Sequence, residues 1–243
     1  PWVLVNVFGK FPPSSMNSLL GPDDVTEAMS RHARIDEYDY AQKRIGIDVA
    51  RFGDDRTVLF PRQGIAAFNP ITLRNQTNPQ IGARVSQAYF KWNSEAHFVD
   101  GTGGYGAGVV DWLRTAKTPG VFEVHASGKP QDERYANVRA ETWFRMAEWV
   151  KRGGVLPKDT TLQKELTNIT YTFTNKGKFI IESKEQIKQR IGTSPDIADA
   201  LCLTFTIGER AKASKIDEMH RMVQQREKKR AYSPFGDMRN DRR

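Results

Sequence analysis

Three apolar runs, far apart in the chain, carry aspartate at or near their ends. They are Ile45-Gly46-Ile47-Asp48-Val49-Ala50, His97-Phe98-Val99-Asp100-Gly101-Thr102-Gly103-Gly104 and Ser194-Pro195-Asp196-Ile197-Ala198-Asp199-Ala200-Leu201. A carboxylate on an apolar run loses hydration and usually faces water unless something replaces it. Carboxylates that converge on hard cations recover that cost. Singly, most of these acids have an ordinary reading. Asp196 fits the first turn of a helix, where the helix dipole favours an acid, and Asp100-Gly101 fits a turn. Asp54-Asp55 fits a solvated hairpin turn that could also support the first motif. Asp48, inside a Gly-Ile-Asp-Val-Ala strand, is the hardest to explain that way.

The pattern around these runs predicts an α/β domain. Arg44–Ala50 reads as a short apolar strand and Arg56–Arg62 as its antiparallel neighbour, joined by a hairpin turn over residues 51–55. Gly64–Pro70 is a third strand. Pro79–Asn93 has helical spacing, with Ile81, Val85, Ala88, Tyr89 and Trp92 on one face. Ala96–Val99 is a strand that delivers Asp100 at its end. A loop over Gly101–Gly108 leads into a helix over Ala107–Thr115, and Phe122–His125 is a further strand. Tyr135–Arg152 is an amphipathic helix and Leu162–Asn168 a short one. Ile169–Phe173 and Lys178–Ile181 flank a Thr174-Asn175-Lys176-Gly177 turn. The last core helix is Pro195–Ile207, with Ser194 as N-cap and Pro195 in its first turn. The order β-β-β-α-β-α-β-α, then a hairpin and a final helix, implies a mixed central sheet flanked by helices.

Charge narrows the partners. The 243 residues carry a net charge of +8, which favours a polyanion, nucleic acid first. Residues 209–243 hold 11 Lys/Arg against 6 Asp/Glu and read as a basic, flexible tail. Residues 1–40 read as a lead-in segment, with a helix starting near Pro22, and residues 41–208 as the folded domain. The single Cys202 excludes an internal disulfide and fits a reducing compartment. No apolar stretch approaches membrane-spanning length, so no membrane partner is expected. His32, His97, His125 and His220 are scattered and form no nucleophile-activating pattern.

In an open α/β sheet, sites form beyond the strand ends, where Asp48 and Asp100 fall. Asp196 and Asp199, three residues apart on a helix, project to the same side. Together the four acids could hold two divalent ions about 3.5–4 Å apart, the arrangement of phosphodiester hydrolysis. Ligands that are all oxygen favour Mg²⁺ or Mn²⁺ over Zn²⁺.

At these residues the chain resembles the nuclease domain of tailed-phage terminase large subunits, the DNA-packaging motors. Gly46 to Thr57 is similar to that family's first acidic motif, Val99 to Gly104 to its second, and Gly192 to Leu201 to its third. The resemblance spans about residues 41–208. It implies an RNase H-like (RuvC/integrase-type) fold that cuts double-stranded viral DNA concatemers to genome length with two metal ions. It carries the catalytic acids over to Asp48 and Asp100, and offers both Asp196 and Asp199 for the third. Lys184 also resembles a family position, as do Asn137 and Arg139. The family joins this domain to an ATPase domain, and the chain has no Gly-x-x-x-x-Gly-Lys-Ser/Thr loop, so cutting without ATP-driven translocation is expected. By the same resemblance the partners are the terminase small subunit, the portal ring and an ATPase domain of the same full-length chain. The location is then the host-cell cytoplasm, transiently at the procapsid portal.

Phosphate contacts are expected from Arg51 and Arg56 beside the first acid, Lys176 and Lys178 on the hairpin, and Lys184, Lys188 and Arg190 before the third motif. The hairpin tip could gate DNA entry. Two other readings compete: an RNase H-like nuclease of the junction-resolvase type, and a non-catalytic DNA-binding or assembly module whose acids are structural.

Overall fold

A computed structural model of the chain describes residues 17–50 and 56–211. The expected turn over residues 51–55, with Arg51, and the basic tail from residue 212 onward lie outside the described residues.

The central strand is β1 (Lys43–Asp48), buried at every position after its first. Ile45 and Ile47 lie on one face and Arg44, Gly46 and Asp48 on the other, so a layer covers each face while neighbouring strands take the two edges. On one side it pairs antiparallel with β2 (Thr57–Gln63), placing Asp48 opposite Val58. On the other it pairs in parallel with β5 (Ala96–Asp100), which in turn pairs in parallel with β6 (Val121–Val124). Two short strands, β3 (Ala66–Ala67) and β4 (Ile71–Leu73), both add to β2, and the main path of the sheet runs β3-β2-β1-β5-β6. Because β1 and β5 are parallel neighbours, their C-terminal acids, Asp48 and Asp100, emerge at the same end of the sheet.

Alternation along the strands separates two cores. Ile45, Ile47, Leu59 and Val99 face α2 (Asn78–Trp92) and α3 (Tyr105–Thr115), meeting Ile81, Val85, Val109, Val110 and Leu113. Val58 and Phe60 face the opposite layer, built from α1 (Pro22–Ser30), α4 (Val138–Lys151), α5 (Thr160–Thr167) and α7 (Asp196–Leu203). Leu19, Leu20, Val25, Ala28 and Met29 join this second core, so the segment around α1 packs into the same body. The hairpin of β7 (Tyr171–Phe173) and β8 (Phe179–Ile181) forms a separate two-stranded sheet beside α4.

Several expected boundaries move. The third strand shrinks to Ala66–Ala67, and β4 appears just after it. The helix after Asp100 begins at Tyr105, earlier than expected. Gly103 and Gly104, at φ +72° and +83°, turn the chain into it through left-handed backbone that glycine adopts without strain. The long amphipathic helix starts at Val138 because the Asn137 side chain accepts from Ala140 N–H and caps it. The last helix stops at Leu203, and Ser194 does not cap it, because Pro195 occupies the cap position without a side-chain bond. An unforeseen helix, α6 (Lys184–Ile191), lies between the hairpin and α7. Among the described residues no helix is long and apolar enough to cross a membrane.

Candidate active site

The site begins with the absence of a side chain. A Cβ on Gly46 would stand 1.8 Å from the Ala200 carbonyl oxygen, so α7 lies directly on β1 only because residue 46 is glycine. Asp48 is two residues further along β1, and Asp199 is one residue before the contact on α7. The close crossing therefore brings these two acids together at the sheet end. Both are buried, at 4% and 6% exposure.

A cation from α6 joins them. Lys184 Nζ lies 3.2 and 3.0 Å from Asp48 Oδ1 and Oδ2, and 3.3 Å from Asp199 Oδ2. Lys184 is the first residue of α6, whose start is fixed by a reciprocal pair of bonds between Ser183 and Gln186. Asp199 has further partners on α4. Trp143 Nε1–H donates to its Oδ1 at 2.8 Å, and the Arg139 guanidinium sits 3.3 Å away. Arg139 also donates to the Glu182 carbonyl, tying α4 to the short link between β8 and α6.

Asp100 completes the edge of the site. Its Oδ1 accepts from Thr102 N–H at 2.9 Å, which turns the chain at the strand end. Asp100, Arg139, Lys184, Asp199 and Cys202 line one cavity of about 30 Å³.

Burial pushes the Asp48 carboxyl up to about 7, helped by the charges of Asp199, Asp100 and Asp196 and opposed by Lys184. Burial would raise Asp199 as well, but Arg139, Lys184 and the Trp143 indole outweigh it and hold that carboxyl below its ordinary value. Burial disfavours the Lys184 ammonium, yet Asp48 and Asp199 more than compensate and keep it charged.

Asp196 does not take part in this grouping. Its Oδ2 accepts from the Arg56 backbone N–H at 3.1 Å and lies 3.5 Å from Arg56 Nε. Arg56 in turn donates to Glu165 at 2.7 Å. The two acids of the third motif therefore serve different neighbours: Asp199 faces Asp48, and Asp196 faces Arg56.

The expected phosphate contacts divide in the same way. Arg56 is 15% exposed and held by two carboxylates, and Lys184 is committed to Asp48 and Asp199. Arg190 pairs with Glu182 and donates to the Asn168 carbonyl. Lys176 at the hairpin tip and Lys188 on α6 are exposed, and Lys178 is half-buried. Trp143 and Glu165 were not singled out by sequence reasoning as site residues. Trp143 reads as an ordinary core aromatic. Glu165 had a visible mark, because it falls on the apolar stripe of Leu162, Leu166 and Ile169.

All the donors at the sheet end are carboxylate oxygens, which suits a hard divalent cation. The buried Asp48 and Asp199 already gather around one positive charge, that of Lys184. Among the described residues no three His, Cys, Asp or Glu side chains stand close enough to hold a metal as placed.

The mixed five-strand path, with helices on both faces and acids at one end of its two central parallel strands, defines an RNase H-like α/β fold. No family model matches the sequence, and no curated protein does. Solved structures do match. The nuclease domain of the large terminase subunit gp2 of bacterial virus Sf6 aligns at 19% identity and a TM-score of 0.63, covering 76% of this chain and 98% of that one. A mutant of the same domain with manganese and beta-thujaplicinol aligns at 21% identity and a TM-score of 0.65 over the same shares. The large terminase nuclease of thermophilic phage G20c with bound magnesium aligns at 18% identity and a TM-score of 0.57, covering 79% of this chain and 98% of that one. What these likenesses share with the chain is its fold.

Proposed function

We propose that the chain is the nuclease domain of a phage DNA-packaging motor, a metal-dependent endonuclease that cuts concatemeric double-stranded DNA to genome length. The observation that carries this reading is the meeting of Asp48, Asp199 and the Lys184 ammonium at the sheet end beside Asp100, within a fold shared with terminase nuclease domains.

In this reading Asp48, Asp100 and Asp199 would hold two Mg²⁺ or Mn²⁺ ions, which when bound would supply an activated water for attack on phosphorus and offset charge on the leaving oxygen. Before they bind, Lys184 keeps two buried carboxylates close together and compensated. Arg139 and the Trp143 indole hold Asp199 in its rotamer and keep it ionised. Asp196 acts through the backbone, fixing the start of β2 beside α7, and is not a ligand.

Lys176, Lys178, Lys188 and Arg51 supply phosphate contacts, and the β7–β8 hairpin borders the DNA path. The partners are double-stranded DNA, an ATPase domain of the same full-length chain, the terminase small subunit and the portal ring. The place is the host-cell cytoplasm, transiently at the procapsid portal.

Cleavage of supercoiled plasmid in Mn²⁺, Mg²⁺ and EDTA tests the reading, with Asp48→Asn beside the wild type. Nicking and linearisation that need metal and vanish in the variant are expected. Tight plasmid binding without cutting in either metal would refute it in favour of an assembly module. A strong preference for branched over linear duplex would refute it in favour of a junction resolvase.

A further inference from the structure

Glu165 is a carboxylate with no exposure to water, projecting from α5 beneath the first turn of α7. Its two oxygens do different things. Oε2 accepts from the Ala198 backbone N–H at 2.8 Å, and Oε1 accepts from Arg56 Nη2 at 2.7 Å. Ala198 is the residue immediately before Asp199, and Arg56 is the residue that holds Asp196. One buried acid thus grips the first turn of α7 directly and, through Arg56, by its first residue.

The first turn of a helix has backbone N–H groups without helical partners, and a carboxylate there is also favoured by the helix dipole. The helix's own N-cap position is Pro195, which makes no side-chain bond, so a borrowed acceptor from α5 takes that part. Elsewhere α7 is located by the close crossing at Gly46 and by Arg44 and Arg62, which donate to the Thr204 carbonyl at its far end. These contacts fix the middle and the end of the helix. Glu165 fixes the turn that carries Asp199.

We propose that Glu165 is a positioning residue for Asp199: it sets the placement of that carboxylate over Asp48 without itself touching DNA or metal. The proposal rests on the nuclease reading for its consequence, and on geometry alone for the placement.

The Trp143 indole, 2.8 Å from Asp199 Oδ1, reports the placement without metal, DNA or turnover. The experiment records the five tryptophan indole N–H resonances by proton–nitrogen correlation spectroscopy of the full chain. Trp143→Phe assigns the peak. Plasmid cleavage is measured in parallel. Glu165→Ala is expected to move the Trp143 resonance upfield as its hydrogen bond weakens, and to lower kcat about tenfold, near 1.4 kcal/mol, with KM for DNA unchanged. Glu165→Gln keeps an acceptor for Ala198 but turns a donor towards Arg56, and is expected to move the resonance less than Glu165→Ala and to retain more of the activity. If the alanine variant does not fold, Arg56→Gln, which removes the other arm, is expected to move the same resonance. A Trp143 resonance that stays put in a folded Glu165→Ala or Arg56→Gln protein would overturn the proposal. A resonance that moves in a protein whose wild type never cuts DNA would support the placement and defeat the nuclease reading instead.

Discussion

Gly46 sets how closely α7 approaches β1, and with it the separation of Asp48 and Asp199. A methyl group there would meet the Ala200 carbonyl at 1.8 Å, with backbone on both sides and little freedom to yield. Gly46→Ala is therefore expected to cost about 1–3 kcal/mol, as overpacked cores do, and to weaken cleavage more than the lost stability alone explains. Urea unfolding and plasmid cleavage together measure this, and an alanine variant as stable and as active as the wild type would contradict it. His97 offers a second check on burial. It is enclosed, with Ser94 Oγ at 2.8 Å from Nε2 and the Pro119 carbonyl 3.0 Å from Nδ1, and burial pushes its imidazole down to about 4. The unfolded imidazole titrates near pH 6.5, so between about pH 4 and 6.5 the unfolded chain binds more protons. The stability His97 contributes is thus fully present above about pH 6.5 and lost as the pH falls towards 4, by about 3 kcal/mol in total. Urea unfolding from pH 7 to pH 4 should show a steeper loss for the wild type than for His97→Gln, and equal slopes would contradict this assignment. At this scale the sequence told only part of the story. Asp48 stood out in the sequence because an acid inside an apolar strand has few ordinary explanations, whereas Asp100-Gly101 by itself fits a turn and drew notice only beside the other motifs. Asp196 and Asp199 could not be ranked, because both fit one face of a helix and only the fold shows that Arg56, 140 residues away, takes Asp196 while Lys184 from the preceding helix takes Asp199.

Among the elements, α6 shows why a local reading fails. Of its eight residues only Ile187 is buried, so it has no apolar stripe to betray it. Its mark was the Ser183–Gln186 pair, a helix-start signature that works without periodicity. The consequence is functional, since the start of α6 is what places Lys184 between two acids. The β7–β8 hairpin was legible from its Asn-Lys-Gly turn, and Gly177 takes the left-handed φ of +71° that such a turn requires. If its lysines meet phosphates, changing Lys176 and Lys178 together to Ala should weaken duplex binding alike across sequences. It should also flatten the dependence of log affinity on log salt by about 2. Fluorescence anisotropy at several salt concentrations reads this out, and an unchanged slope would remove the hairpin from the DNA surface. Arg56 teaches the reverse lesson. A basic residue beside an acidic motif looks like a phosphate contact, but its side chain is enclosed by Glu165 and Asp196, both far from it in sequence.

For the whole molecule, the sheet was legible in outline because strand-sized apolar runs alternate with helical ones, and short links dictate which pair antiparallel. The parallel pairing of β1 with β5, with α2 crossing between them, is what turns two separate motifs into one site. The clamp that holds the far end of α7 was not legible. Arg44 and Arg62 are fully buried, donate to carbonyls of residues 204, 207, 208 and 64, and share Glu209. Arginines inside apolar strands carry no local sign of a partner 140 or more residues away. In the proposed nuclease, Asp48, Asp100 and Asp199 form a divalent-metal site and Asp196 stands outside it. The most direct test of this assignment is a Mn²⁺ titration followed by electron paramagnetic resonance, with the wild type beside Asp48→Asn, Asp199→Asn and Asp196→Asn. Saturable binding that is lost in the first two variants and kept in the third is the predicted result. Binding that survives Asp48→Asn, or that disappears with Asp196→Asn in a protein that remains folded, would contradict the account.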